Sequence, residues 1–147
     1  MKQLADDGII TVKSLALRHA DVGDYVRPTK PYPNGRLRGG GHGQVCTDEL
    51  DKRGITYQVG HTYSNGVRVG GVDGHKKTNK RIGNSGQSWF PETWTDTDIR
   101  AASTFVANTN TSKTFPAFAD FRGLRVGIYV NSTGAPSTIF PDGSLQS

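Results

Sequence analysis

Four histidines stand in the chain, His19, His42, His61 and His75, and no two share a spacing of the H-x-x-x-H kind that sets metal ligands on one helix face. With no carboxylate cluster beside them, the sequence predicts no metal site and no cofactor. Two imidazoles can do chemistry without a metal. Cleavage of RNA by internal transfer needs one imidazole to accept the 2′-hydroxyl proton and a second to protonate the 5′-oxygen that leaves. A cation or hydroxyl must also meet the charge on the non-bridging oxygens. Histidine suits both proton transfers because its pKa lies near working pH. The attacking 2′-hydroxyl restricts the reaction to RNA.

His42 follows the three glycines of the run RLRGGGHGQV and precedes a helix. Glycines 39–41 and 43 could bring bare backbone N–H groups and a helix N-terminus to an anion, with Gly41 at the contact. A flexible loop carrying an exposed histidine accounts for the pattern equally well. No Gly-Lys-Ser/Thr follows, so the run is not a Walker phosphate loop. His75 ends a strand and is followed by Lys76, Lys77, Lys80 and Arg81. So many cations should lower its pKa unless an anion compensates. A solvated basic loop is the plainer account of those charges. His61 reads as a solvent-side strand residue, and His19 as a helix C-terminal residue facing the dipole.

These residues need elements to hold them. TVKSLALRHA predicts a short amphipathic helix with Thr11 as N-cap, and RPTKPYPNGRLRGGG an extended loop. GQVCTDELDKRG predicts a helix closed by Gly54. Asn65-Gly66 predicts a two-residue type I′ hairpin turn, which pairs Ser64 with Val67 and His61 with Gly70. Gly70-Gly71 suggests a bulge in the second strand. A further helix follows the SWFPETW cluster, with Thr95 and Asp98 as a capping box and Ile99, Ala102, Phe105 and Val106 as its apolar stripe. Leu124, Val126, Ile128 and Val130 alternate as a strand, and STIF predicts a last one. The economical reading is one α+β domain, small N-terminal helices packed on antiparallel β-hairpins.

Composition sets outer bounds. Only 33% of the 147 residues are apolar and 19 are glycine, which predicts a modest core and many turns. Eighteen Lys and Arg against 13 Asp and Glu give a net charge of +5, which favours polyanions. Cys46 is the single cysteine, so no internal disulfide forms, and a buried place on a helix is its simplest role. No signal peptide and no membrane-spanning run are evident, so whatever exports the domain lies outside this sequence.

The elements GGGHGQ, ELDKRGITYQV, YSNGVRVGGVDGHK, GNSGQSWFPETWTDTDIRAA, GLRVGIYV and STIFP follow one another from about Arg38 to Pro141. In that order they closely resemble the bacterial EndoU endoribonuclease domains, the toxic C-terminal modules of polymorphic and contact-dependent growth inhibition toxins. The resemblance implies a two-lobed fold shared with colicin-type and related ribonuclease toxins. It divides the chain into an N-terminal helical segment and loop, residues 1–37, and a nuclease domain, residues 38–147. It implies cleavage of RNA, often tRNA, to a 2′,3′-cyclic phosphate and a 5′-hydroxyl. A monomer delivered as part of a larger secreted or surface toxin would act in the target cytoplasm, restrained in the producing cell by an immunity protein expected to be acidic.

Residue by residue, the resemblance puts the catalytic histidines at His42 and His75, with His61 in reserve for the second. It puts the catalytic lysine at Lys76, with Lys77 and Lys80 as alternatives, and a hydroxyl pair at Ser137 and Thr138. Phe140 stands where many relatives carry Tyr. Arg81 is a candidate phosphate contact, and Trp89 either stacks on a base or forms core beneath the basic loop. Two rival readings remain, a non-catalytic basic RNA-binding module and a metal-dependent DNA nuclease.

Overall fold

The computed structural model describes residues 10, 12–109 and 115–146. The expected N-cap, Thr11, lies outside them. Helix α1 covers Ser14–Asp21 and places Arg18 and His19 in its last turn, beside the dipole's negative end. Strand β1 (Asp24–Val26) pairs antiparallel with β2 (Arg36–Gly39), and β2 lies within the stretch expected to be loop. The boundary expected between residues 37 and 38 thus falls inside a strand. Helix α2, Gln44–Arg53, ends as predicted on Gly54, which takes the left-handed conformation at φ 75°.

Strands β3 (Tyr57–Thr62), β4 (Arg68–Val72) and β5 (Gln87–Trp89) form a three-stranded antiparallel sheet with β4 at its centre. The β3–β4 turn differs from the expected one. The Tyr63 N–H bonds the Val67 carbonyl, so Ser64, Asn65 and Gly66 form a three-residue loop, with Gly66 at φ 96°. His61 therefore faces Val69 instead of Gly70. The bulge sits on the other strand, between Val59 and His61. Gly70 and Gly71 serve close approach. A Cβ on Gly71 would overlap the Arg81 carbonyl, so the basic loop lies directly against β4.

Helix α3, Asp96–Thr109, is capped as expected by Asp98, which accepts the Thr95 N–H at 2.8 Å. Ile99, Ala102 and Val106 are buried, but Phe105 is 40% exposed at the edge of the stripe, against Phe121. A third antiparallel sheet joins β6 (Ala117–Phe121), β7 (Leu124–Val130) and β8 (Pro136–Pro141). The last two were legible in advance; β6 was not.

Two apolar clusters result. The larger gathers Leu17 and Ala20 of α1, Ile99, Ala102 and Val106 of α3, and Val126, Ile128 and Ile139 of the third sheet. A smaller one gathers Leu37, Cys46, Leu50, Val72 and Trp89. Neighbouring residues at the end of β5 join the two, because side chains alternate across an extended chain. Trp89 enters the smaller core and Phe90 the larger, both fully buried. The molecule is thus mixed α+β, with residues from Val12 onward in the packed interior.

A cleft between the two cores

The glycine run lies along the end of α1. The N–H groups of Gly41, His42 and Gly43 donate to the carbonyls of His19, Ala20 and Asp21. Those carbonyls are the ones a helix leaves without internal partners. Glycine is required because a Cβ on Gly40 would overlap the His19 carbonyl, and Gly40 and Gly41 sit at φ 66° and 72°. The expectation that these N–H groups, Gly41's included, reach toward an anion is thereby corrected: they cap a helix. The N-terminus of α2 is covered as well, since a Cβ on Gly43 would overlap Asp21 Oδ1.

This packing sets His19 and His42 at one cleft of about 440 Å³. Both rings are tethered through Nδ1. His42 donates from Nδ1 to the Ser88 carbonyl at 2.7 Å. A carbonyl only accepts, so Nδ1 carries the proton and Nε2 is left as the acceptor. The Phe90 N–H holds the His42 carbonyl at 2.6 Å, and Gln87 donates to the Gly41 carbonyl at 2.7 Å. Strand β5 thus grips the glycine run from behind. His19 Nδ1 meets Asp24 Oδ2 at 2.6 Å, which orients that ring from the other side.

Around the rings stand Lys77, Asn79 and Lys80 of the basic loop, Tyr129 of β7, and Thr138 and Phe140 of β8. Burial, helped by the Lys80 ammonium, pushes the His42 ring down to about 3, against the opposing pull of the Ser88 hydrogen bond. The ring is neutral at neutral pH. Burial, then the neighbouring Lys77 charge, pushes Lys80 down to about 8, which leaves it an ammonium at pH 7. A neutral imidazole, a second imidazole on a carboxylate, a cation and a hydroxyl in one concavity are parts for acid–base chemistry on an anion. Among the described residues no group of three or more His, Cys, Asp or Glu side chains could hold a metal ion.

The residues expected from the sequence divide. His42 and Thr138 are brought together at the cleft, as is Lys80, an alternative for the lysine. His75 is not among the lining residues: its ring is fully buried, with Nδ1 accepting the Lys77 N–H at 2.9 Å. Lys76 is exposed and also off the cleft. Ser137 is the extra residue at a register shift of β8, between Pro136 opposite Val130 and Thr138 opposite Tyr129, and is not among the lining residues. Arg81 turns its Nε to the His75 carbonyl at 2.8 Å. Trp89 is core, with its ring 5.8 Å from that of Tyr57. His61 is exposed, edge-on to Tyr63 at 4.7 Å. The sequence reading missed His19, Asp24, Ser88 and Tyr129. His19 already had a sufficient local account at a helix end, and nothing in its spacing ties it to a histidine 23 residues on.

A family model described as bacterial EndoU nuclease matches residues 24–143. No curated protein and no solved structure matches the chain.

Proposed function

Since the chain belongs to the bacterial EndoU nuclease family, we propose that it cuts RNA by transesterification, with His42 and His19 as the base and acid. His42 Nε2 takes the 2′-hydroxyl proton, and the 2′-oxygen bonds to phosphorus. The bond from phosphorus to the 5′-oxygen breaks, and His19 Nε2 supplies the proton that oxygen needs. A 2′,3′-cyclic phosphate and a 5′-hydroxyl remain. Lys80, with Lys77 and the Thr138 hydroxyl, meets the charge on the non-bridging oxygens. The two imidazoles and the lysine supply every proton and charge the step requires, so no metal is invoked. The observation that carries this reading is that His42 and His19 line one cleft, each held at Nδ1 and each leaving Nε2 for substrate.

The reading extends to context. tRNA as substrate, delivery within a larger toxin to a target cytoplasm, and an acidic immunity protein are proposed with it. Their support is the sequence resemblance and the net charge of +5.

The test is incubation of purified protein with total tRNA in excess EDTA, followed by mapping of the ends. Cyclic-phosphate and 5′-hydroxyl ends are expected. His42→Ala and His19→Ala should each lower the rate by about 10²–10⁴, while His61→Ala leaves it within about twofold of the parent. Intact RNA with the parent protein, or full activity of either cleft variant, would overturn the assignment.

A further inference from the structure

We infer that His75 is a positioning residue: its buried ring pins the lysine-bearing loop against the sheet and so places Lys77 and Lys80 at the cleft. Its catalytic consequence rests on the nuclease reading above. Several contacts converge on it. His75 lies three residues beyond β4, its N–H on the Val72 carbonyl and its ring fully buried, and Nδ1 accepts the N–H of Lys77, two residues on. Its carbonyl accepts Arg81 Nε at 2.8 Å, so the residue holds both ends of the tight turn. The 3-10 turn Thr78–Lys80 starts from Lys77, and the Lys80 N–H closes onto the Lys77 carbonyl at 3.0 Å. Fixing Lys77 therefore fixes the route of the chain to Lys80. On the flanks, the Lys76 N–H bonds the Leu37 carbonyl of β2 and the Gly86 N–H bonds the Asn79 carbonyl.

The arrangement is the one an Asx turn makes, a side-chain acceptor bonded to the backbone N–H two residues on. Only an unprotonated Nδ1 can accept. Burial, with the Lys80, Lys77, Arg81 and Arg36 charges around it, keeps the ring neutral by pushing it down to about 4. The residue thus handles no substrate proton. Asparagine carries its oxygen where Nδ1 sits, and glutamine carries its oxygen one bond farther out.

That difference makes the test. In the parent protein, a two-bond nitrogen–nitrogen coupling between Lys77 N and His75 Nδ1 is expected by NMR; its absence overturns the inference without any variant. His75→Asn should keep kcat on a short single-stranded RNA within about threefold of the parent, whereas His75→Gln loses about tenfold or more. In a Lys80→Ala background the Gln substitution should cost clearly less than in the parent, because part of its effect acts through Lys80. An equal cost in both backgrounds, or equal loss in the Asn and Gln variants at equal Tm, overturns the inference. Amide exchange at Lys77 should quicken in His75→Gln and not in His75→Asn, a readout independent of cleavage. A parent protein that leaves RNA intact sinks the nuclease reading alone, and the coupling and the exchange still judge the pin.

Discussion

At the scale of single residues, the environment of His42 sets a pH dependence. A free imidazole acting as base would be only about 3% neutral at pH 5. His42, buried under the Lys80 charge and pushed to about 3, stays neutral there. The acid limb of kcat/KM should therefore lie well below pH 6. At pH 5, with the fold verified by circular dichroism, kcat/KM is expected within a few-fold of its value at pH 7; a limb at 6–7 would show that His42 is not the base. Lys80 gives a second expectation. Because its ammonium is lost through about pH 8, affinity for sulfate as an anion probe should weaken between pH 7 and 9. Lys80→Arg, whose charge persists, should remove most of that loss. Isothermal titration across the range reads both.

At the scale of elements, the glycine run yields a contrast. Gly40 and Gly134 both sit at positive φ, 66° and 86°. A Cβ at Gly134 meets nothing within 4 Å, while one at Gly40 runs into the His19 carbonyl. Gly134→Ala should cost about 1 kcal/mol, the left-handed penalty. Gly40→Ala should cost at least about 2 kcal/mol more, since helix end and loop must part; chemical denaturation of the two variants measures the difference. Legibility followed a similar line. Elements with their own punctuation, such as α2 ending on Gly54 or the capping pair Thr95 and Asp98, could be read directly. Strands β1, β2, β5 and β6 are three to five residues long, and their pairing partners rather than their composition make them strands. The hairpin turn was misread by one residue because Asn-Gly fits a two-residue and a three-residue loop alike; the Tyr63–Val67 bond decides. At the site, His42 was singled out by its place after the glycines, and Thr138 by the family resemblance alone. His19 could not be found, because its meeting with His42 is made by the caps of α1, a tertiary event.

At the scale of the whole molecule, buried ionisable groups tie stability to pH. His42 and His75 have folded pKa values of about 3 and about 4, against 6.5 unfolded. Between pH 6.5 and 4 the unfolded chain takes up two protons that the folded chain refuses, so acid favours unfolding. Asp21, pushed up to about 6 chiefly by burial, acts oppositely, since the folded chain keeps a proton the unfolded chain releases. Two groups against one leave a net loss on the order of 1 kcal/mol per pH unit on acidification through this window. Tm should fall accordingly, and His75→Asn should flatten the slope. A Tm that holds level or rises from pH 6.5 to 4 would show that the imidazoles are not shielded.

The docking of α1 bears on how far the fold reaches ahead of the stretch that the family model matches. Leu17 and Ala20 are interior, and His19 reaches the cleft from the last turn of that helix. A chain cut at residue 38 would lose α1, and His19 with it, and open the larger core to solvent. The helix is thus part of the packed fold, although it precedes the residues 24–143 that the family model matches.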